Sequence, residues 1–128
     1  MNIYPAAVLK VVDGDTLDVD LDLGFTIRTR QRLRLTGLNA PEKNTPAGKT
    51  AKAWVGDWLA QHGPDLVVET HAREKYGRWL ATVTGQDGAC LNTDLIAARQ
   101  AAPYDGHGPR PLPTPTDPSE DPTVEATP

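Results

Sequence analysis

The sequence predicts a mainly β fold with helices (α+β): a five-stranded barrel carrying two or three helices. Three features predict it. Apolar and charged residues alternate strictly along residues 17–23, and residues 25–35 keep their large apolar residues on one parity and their arginines on the other. An apolar stripe at helical spacing follows over residues 51–59. The foldable part of a 128-residue chain is also too short for a doubly wound parallel sheet.

A chain of this length suits one domain. Its composition changes near residue 109, beyond which Pro, Thr and acidic residues dominate without apolar periodicity. Such a segment buries too little surface to offset chain entropy. Residues 1–108 are therefore expected to form the folded domain and residues 109–128 a disordered tail. The formal charge of −4 belongs to residues 111–128, where Asp117, Glu120, Asp121 and Glu125 lie. Residues 1–110 hold 13 acidic residues against 13 Lys and Arg. A neutral body does not advertise tight, salt-sensitive binding to a polyanion, but it is compatible with transient engagement.

The single cysteine, Cys90, excludes an intrachain disulfide. It reads as a packing residue, because no activating partner is evident. The N-terminal stretch lacks the basic start, apolar run and cleavage site of a signal peptide. No window approaches a membrane span. The expectation is a cytoplasmic, monomeric protein.

Residues 6–12 form the first strand and end at the turn signal Asp13-Gly14-Asp15. Leu17, Val19, Leu21 and Leu23 then alternate with Asp18, Asp20 and Asp22, the mark of a half-buried strand. After Gly24, Phe25, Ile27, Leu33 and Leu35 share one parity, and Arg28, Arg30, Arg32 and Arg34 the other. The two segments pair as a hairpin, an acidic face against a basic one. Cross-strand charge pairs add a few tenths to about 1 kcal/mol each.

Residues 37–46 read as a loop with Pro41 and Pro46. Ala51, Trp54, Val55, Trp58 and Leu59 make a helical stripe, so both tryptophans belong to the core. Gly63-Pro64 ends that helix. Leu66–Val68 and Trp79–Val83 are short strands, separated by a polar segment over 72–78. Residues 91–100 form a second helix with Leu91, Leu95 and Ile96 inward and Asn92 as a candidate cap. The order is three strands, helix, two strands, helix. A small barrel plugged by a helix fits it, and the OB-fold is the usual architecture of that kind.

Three motifs stand in this framework: Asp13-Gly14-Asp15-Thr16, then Arg34-Leu35-Thr36-Gly37-Leu38-Asn39-Ala40-Pro41-Glu42, then Lys75-Tyr76-Gly77-Arg78. In this order and around one helix they resemble the staphylococcal nuclease family over roughly residues 6–108. The resemblance implies calcium-dependent hydrolysis of phosphodiesters in DNA or RNA. It implies that Asp15 is a metal ligand, as a hard cation requires oxygen donors. Asp13 has the weaker claim, since Asp-Gly is also a plain turn dipeptide. Asn39 stands where the family has a second metal-binding aspartate. An amide oxygen still ligates calcium but is neutral, so weaker calcium binding or use of another divalent cation is expected. Ala40 matches the position that offers its backbone carbonyl.

The resemblance further implies Glu42 as general base toward the attacking water. It implies Arg34 and Arg78 as donors to the phosphate and its transition state, which suits the planar guanidinium fork. Strand parity sets Arg34 opposite to Leu33 and Leu35 while Asp15 shares the inward parity, so their convergence requires a bulge or a strand end. Tyr76 and Tyr104 are candidates for stacking on a base, and Lys75 and Lys43 for attracting phosphate. By analogy, the size and lack of a leader resemble phage-encoded or intracellular bacterial members.

Other signals fail on spacing. Ala47-Gly48-Lys49-Thr50 lacks the earlier glycine of a phosphate-binding loop, because that position is Lys43. His62, His71 and His107 have no partners at zinc-ligand spacing. Asp18, Asp20 and Asp22 lack the glycine and terminal glutamate of a calcium-binding helix-loop-helix. The alternative function is a catalytically inactive OB-fold module binding nucleic acid or peptide, favoured by Asn39 and the neutral body.

Overall fold

The computed structural model describes residues 2–105 and Pro111. The predicted disordered tail, Pro111 apart, lies outside the described residues. The elements run β1 (Ile3–Asp13), β2 (Thr16–Gly24), β3 (Ile27–Leu35), β4 (Leu38–Asn39), α1 (Pro46–His62), β5 (Asp65–Arg73), β6 (Trp79–Gly85), α2 (Leu91–Ala97) and β7 (Ala102–Pro103). The main strands close a barrel in the order β1-β2-β3-β6-β5, with β5 returning to β1. All pairings in it are antiparallel except β3 with β6. This is the five-stranded, two-helix OB-type barrel that the element order predicts.

The core follows from the alternation. Leu17, Val19, Leu21, Leu33, Leu35, Leu66, Val68, Ala81 and Val83 fill the barrel. Helix α1 starts from Thr45, whose hydroxyl accepts from the Gly48 N–H at 3.0 Å, with Pro46 in the first turn. It buries Ala51, Val55 and Trp58 against the barrel. The Trp58 indole N–H donates to Asp94 at 2.8 Å and so ties α1 to α2.

Three expectations are corrected. Phe25 and Ile27 are exposed, at 94% and 55%, although their parity is inward. The cause is that the β2–β3 hairpin outruns the barrel: β1 follows β2 only to Leu21, and β6 meets β3 only at Leu33–Leu35. Strand β5 runs on to Arg73, past the predicted Val68, because it pairs with β6 as far as Trp79. Asn92 does not cap α2. Its amide donates to the carbonyls of Thr36 and Ala81, and its oxygen accepts from the Val83 N–H, all at 3.0 Å. It bolts the helix to β6 instead of serving its own backbone.

The predicted charge ladder on the outer face of the hairpin forms. Arg32 makes a two-pronged bond to Asp18 at 2.7 and 3.0 Å. Arg28 reaches diagonally to Asp20 at 2.8 Å.

Candidate active site

The site grows from the turn between β1 and β2. Gly14 packs so closely that a Cβ on it would lie 2.9 Å from the Cβ atoms of both Ala40 and Ala51. The absent side chain lets the turn nest against the loop after β4 and against α1. That contact brings Asp15 to its partners. The Asp15 carboxylate accepts from Arg34 Nη1 at 2.9 Å and from the Ala40 N–H at 3.1 Å, both on Oδ2. Its Oδ1 accepts from the Thr16 hydroxyl at 3.0 Å. Asp13 accepts from the Asp15 N–H at 3.1 Å.

The two carboxyl groups divide unequally. Burial pushes Asp13 up to about 6, and the neighbouring Asp15 carboxylate adds to the rise. Burial also opposes ionisation of Asp15. The interaction with Asp13, the charge of Arg34, the Ala40 N–H and the Thr16 hydroxyl outweigh it and hold Asp15 below the ordinary carboxylate range.

Arg34 meets Asp15 because β3 ends there. Arg34 is in register with Thr16 and lies on the outer face, one residue from the strand's last residue. The chain then turns at Gly37, with φ +84°, and lays β4 across that face. Arg34 is thereby 8% exposed. Its Nη2 donates to the Leu38 carbonyl and to Asn39 Oδ1, each at 3.3 Å. The end of β3 resolves the parity conflict, beside a register shift in β1 between Val11 and Asp13.

Asn39 is buried, and its Nδ2 donates to the Pro111 carbonyl at 2.9 Å. An aspartate could not make that second contact, since a carboxylate only accepts. Strand β7 pairs with β4, Leu38 opposite Pro103 and Asn39 opposite Ala102. This places Tyr104 beside the site, with its N–H on the Gly37 carbonyl at 2.9 Å. Gly37, Pro103, Tyr104, Asp105 and Pro111 line a shallow cleft there.

Glu42 and Lys43 are exposed at the mouth of the loop. The Glu42 backbone is fixed, because its carbonyl accepts from the N–H and the hydroxyl of Thr45 at 3.0 and 2.7 Å. A Cβ on Gly48 would sit 1.7 Å from that carbonyl oxygen and 2.9 Å from Lys43 Cα. Gly48 is thus a positioning residue without a signal in the sequence patterns, where it stands only as part of an incomplete phosphate-loop motif. Gly48→Ala is expected to displace the Glu42 segment, costing about 1–3 kcal/mol of stability and lowering any cleavage rate. Thermal unfolding and single-turnover rates check this, and wild-type values in both would show that the loop yields freely.

The last motif forms the β5–β6 turn. Glu74 organises it: its carboxylate accepts from the N–H groups of Tyr76 and Arg78 at 3.0 and 3.1 Å. The same carboxylate takes Arg78 Nε and Nη2 at 3.1 and 3.0 Å. That bidentate contact with Arg78 draws the Glu74 carboxyl down to about 2. Glu74 raises the Arg78 guanidinium's pKa further, and the charges of Asp15 and Asp13 act on it in the same sense. Arg78 therefore lies within the field of the carboxylate pair. Glu74 is a second missed residue, because its i,i+4 spacing to Arg78 is a signal only on a helix and this segment is a turn between strands. Tyr76 is 68% exposed, with the Lys75 ammonium 5.1 Å from its ring centroid.

The structure thus brings Asp13, Asp15, Arg34, Asn39 and Ala40 into contact and sets Arg78 within their field. Tyr104 is adjacent; Lys43, Lys75 and Tyr76 stay on the exposed rim. The donors suit a hard cation: two carboxyl groups and an amide oxygen, with the Asp13 carboxyl raised to about 6 by burial and then by the neighbouring Asp15. Among the described residues no cluster of three or more Asp, Glu, His or Cys forms around them.

Comparison with known proteins points the same way. The sequence model of the family described as staphylococcal nuclease homologue matches residues 32–111. A protein named an uncharacterized endonuclease, from Escherichia coli O157:H7, is 30% identical over 105 residues, covering 82% of this chain and 64% of that protein. The thermonuclease of Staphylococcus hyicus is 35% identical over 82 residues, 59% of this chain and 46% of the enzyme. Protein ParB of Escherichia coli is 35% identical over 77 residues, 59% of this chain and 39% of that protein. The chain spans about two thirds or less of the length of these relatives. With the family match covering the arginine strand, the asparagine loop and the arginine turn on an OB-type barrel, the chain belongs to the staphylococcal nuclease family.

Proposed function

We propose that the chain is a divalent-cation-dependent nuclease that hydrolyses phosphodiester bonds of DNA or RNA, with calcium the expected ion. The observation that carries this reading is the convergence on one edge of the barrel. A buried Arg34 is held by Asp15 and capped by Asn39, and Arg78 lies in the same field. A pure binding module has no chemical need for a buried, carboxylate-oriented guanidinium at a strand end.

Asp15, Asn39 and the Ala40 carbonyl would hold the ion, with Asp13 beside them. When bound, it would lend positive charge to the phosphate and orient the reacting groups. The chain's own residues do the rest. Arg34 and Arg78 donate to non-bridging phosphate oxygens and stabilise the charge that grows as phosphorus becomes pentacoordinate. Glu42 takes a proton from the attacking water as the new O–P bond forms and the P–O ester bond breaks, the alkoxide leaving group being protonated from solvent. Tyr76, Tyr104, Lys75 and Lys43 line the approach of the polynucleotide.

The test is cleavage of single-stranded DNA by purified protein across a calcium series, with a chelator control. Calcium-dependent cutting is expected. Binding without cutting in calcium, manganese or magnesium would reject the enzyme. It would favour the inactive binding module, which the neutral Asn39 in place of a carboxylate supports. Asn39→Asp bears on the same point. It adds a carboxylate and removes the donor to Pro111, so calcium should bind roughly tenfold tighter in calorimetry. Weaker binding would place residue 39 away from the ion.

A further inference from the structure

Asn39 brings a difficulty that an aspartate in its place would not have. A carboxylate presents an oxygen on both sides, whereas an amide presents an oxygen on one side and N–H donors on the other. Turned over, residue 39 would aim its N–H groups at a cation. Two contacts of opposite kind fix which way it faces. Arg34 Nη2 donates to Oδ1 at 3.3 Å, and Nδ2 donates to the Pro111 carbonyl at 2.9 Å. Turning the amide over would set N–H against guanidinium and oxygen against carbonyl. Two hydrogen bonds would become two unsatisfied pairs at a residue only 5% exposed, where water is a poor substitute.

The two holders are unequal. The Arg34 bond is long, and the same Nη2 also serves the Leu38 carbonyl at 3.3 Å. Its Nη1 is held by Asp15. In the nuclease reading this guanidinium must serve the phosphate as well. The Pro111 carbonyl is a backbone acceptor with a shorter bond and no part in the chemistry. It reaches Asn39 from 72 residues away in sequence, and β4, which carries Asn39, is itself pinned by β7. The acceptor also selects the residue it meets. An aspartate at position 39 would set carboxylate oxygen against carbonyl oxygen, a contact that repels. Asn39 and the Pro111 carbonyl are thus a matched pair.

We propose that Pro111 is a positioning residue for the cation: its carbonyl holds the Nδ2 side of the Asn39 amide and so keeps Oδ1 presented to a divalent ion. One lone pair of Oδ1 takes Arg34, and the other is left for the ion. The identity of the ligand rests on the nuclease reading above. The contact between Asn39 and Pro111 does not.

The test is nuclear magnetic resonance on the full chain labelled with 15N and 13C, first in chelator and then with calcium, beside calorimetry of calcium binding. The Asn39 side-chain amide is identified by its loss in Asn39→Asp. In chelator it should show a nuclear Overhauser effect to the Pro111 Hα, and the Pro111 carbonyl-carbon resonance should move in Asn39→Asp, which has no donor. Absence of that effect, or a Pro111 resonance indifferent to the substitution, would overturn the proposal. An ion on Oδ1 draws electrons from the amide and strengthens the bond from Nδ2. With calcium the bonded proton should therefore move downfield while its contact with Pro111 persists. A proton that stays in place would make the bond a structural tie without a role toward the ion. Loss of the contact on adding calcium would make the carbonyl a competitor of the ion. Either result ends the inference. Calorimetry separates the two readings. Calcium heat with an unmoved amide proton ends this inference and leaves the nuclease standing. No heat from calcium, manganese or magnesium, in wild type or Asn39→Asp, ends the metal-dependent nuclease and the positioning role with it, even where the contact with Pro111 is seen.

Discussion

Arg34→Ala is expected to lower stability by about 3–5 kcal/mol, because it strips the counter-charge from a buried carboxylate. Both side chains of the pair are under 10% exposed, and the bond between them is 2.9 Å long. Removing the guanidinium leaves the buried Asp15 carboxylate beside the half-buried Asp13, with no cation in contact. It also orphans the Leu38 carbonyl and the Asn39 oxygen. For a domain of this size the melting temperature should fall by roughly 15–30 °C. Circular dichroism on heating reads this directly, and a loss below about 1 kcal/mol would mean that Asp15 finds water or a proton cheaply. Arg34→Met combined with Asp15→Asn should recover most of the stability, since a neutral, well-packed replacement of a buried ion pair is often no worse than the pair. That double variant should still fail to cleave DNA. Recovery of the fold without recovery of cutting separates the structural use of the Arg34–Asp15 pair from its use toward the cation and the phosphate.

The barrel was legible because its cause is local. Leu17, Val19 and Leu21 alternate with aspartates, and period-2 alternation admits one reading. The site was legible only in part, because its geometry depends on where strands stop. No pattern in residues 27–35 distinguishes Arg34 from Arg28, Arg30 or Arg32. What distinguishes it is that β4 folds over Arg34, so the guanidinium is covered where the other three stay in solvent. Phe25 shows the same limit from the other side. Its parity is correct for the core, but the neighbouring strands end before reaching it. Gly14 and Gly48 were invisible as site residues, because a close approach of backbones has no sequence period. Glu74 was equally hidden. A glutamate four residues before an arginine is a readable pair only on a helix, and here it meets Arg78 across a turn between strands, fixing both the turn and the arginine.

Glu42→Gln is expected to reduce the rate of the chemical step by about 10²–10⁴-fold while leaving single-strand affinity and melting temperature nearly unchanged. Glutamine keeps the size of the side chain and its hydrogen-bonding reach but cannot take a proton at neutral pH. The fold has little to lose, because the carboxylate is exposed and the backbone of residue 42 is held independently by Thr45. Single-turnover cleavage under saturating protein isolates the chemical step, and anisotropy gives affinity. A loss shared equally between rate and binding would make Glu42 a substrate contact and not a base. An unchanged rate would move the proton acceptor elsewhere, and the exposed loop offers no second carboxylate between Leu38 and Gly48 to replace it. Gly48→Ala then provides an independent check on the same role. It leaves the Glu42 carboxylate in the chain and shifts only the backbone that carries it. If Glu42 is the base, a displacement of even about 1 Å is expected to slow the step by around 10²-fold. The two variants should therefore lower the rate for different reasons, one by chemistry and one by placement, with only Gly48→Ala lowering the melting temperature.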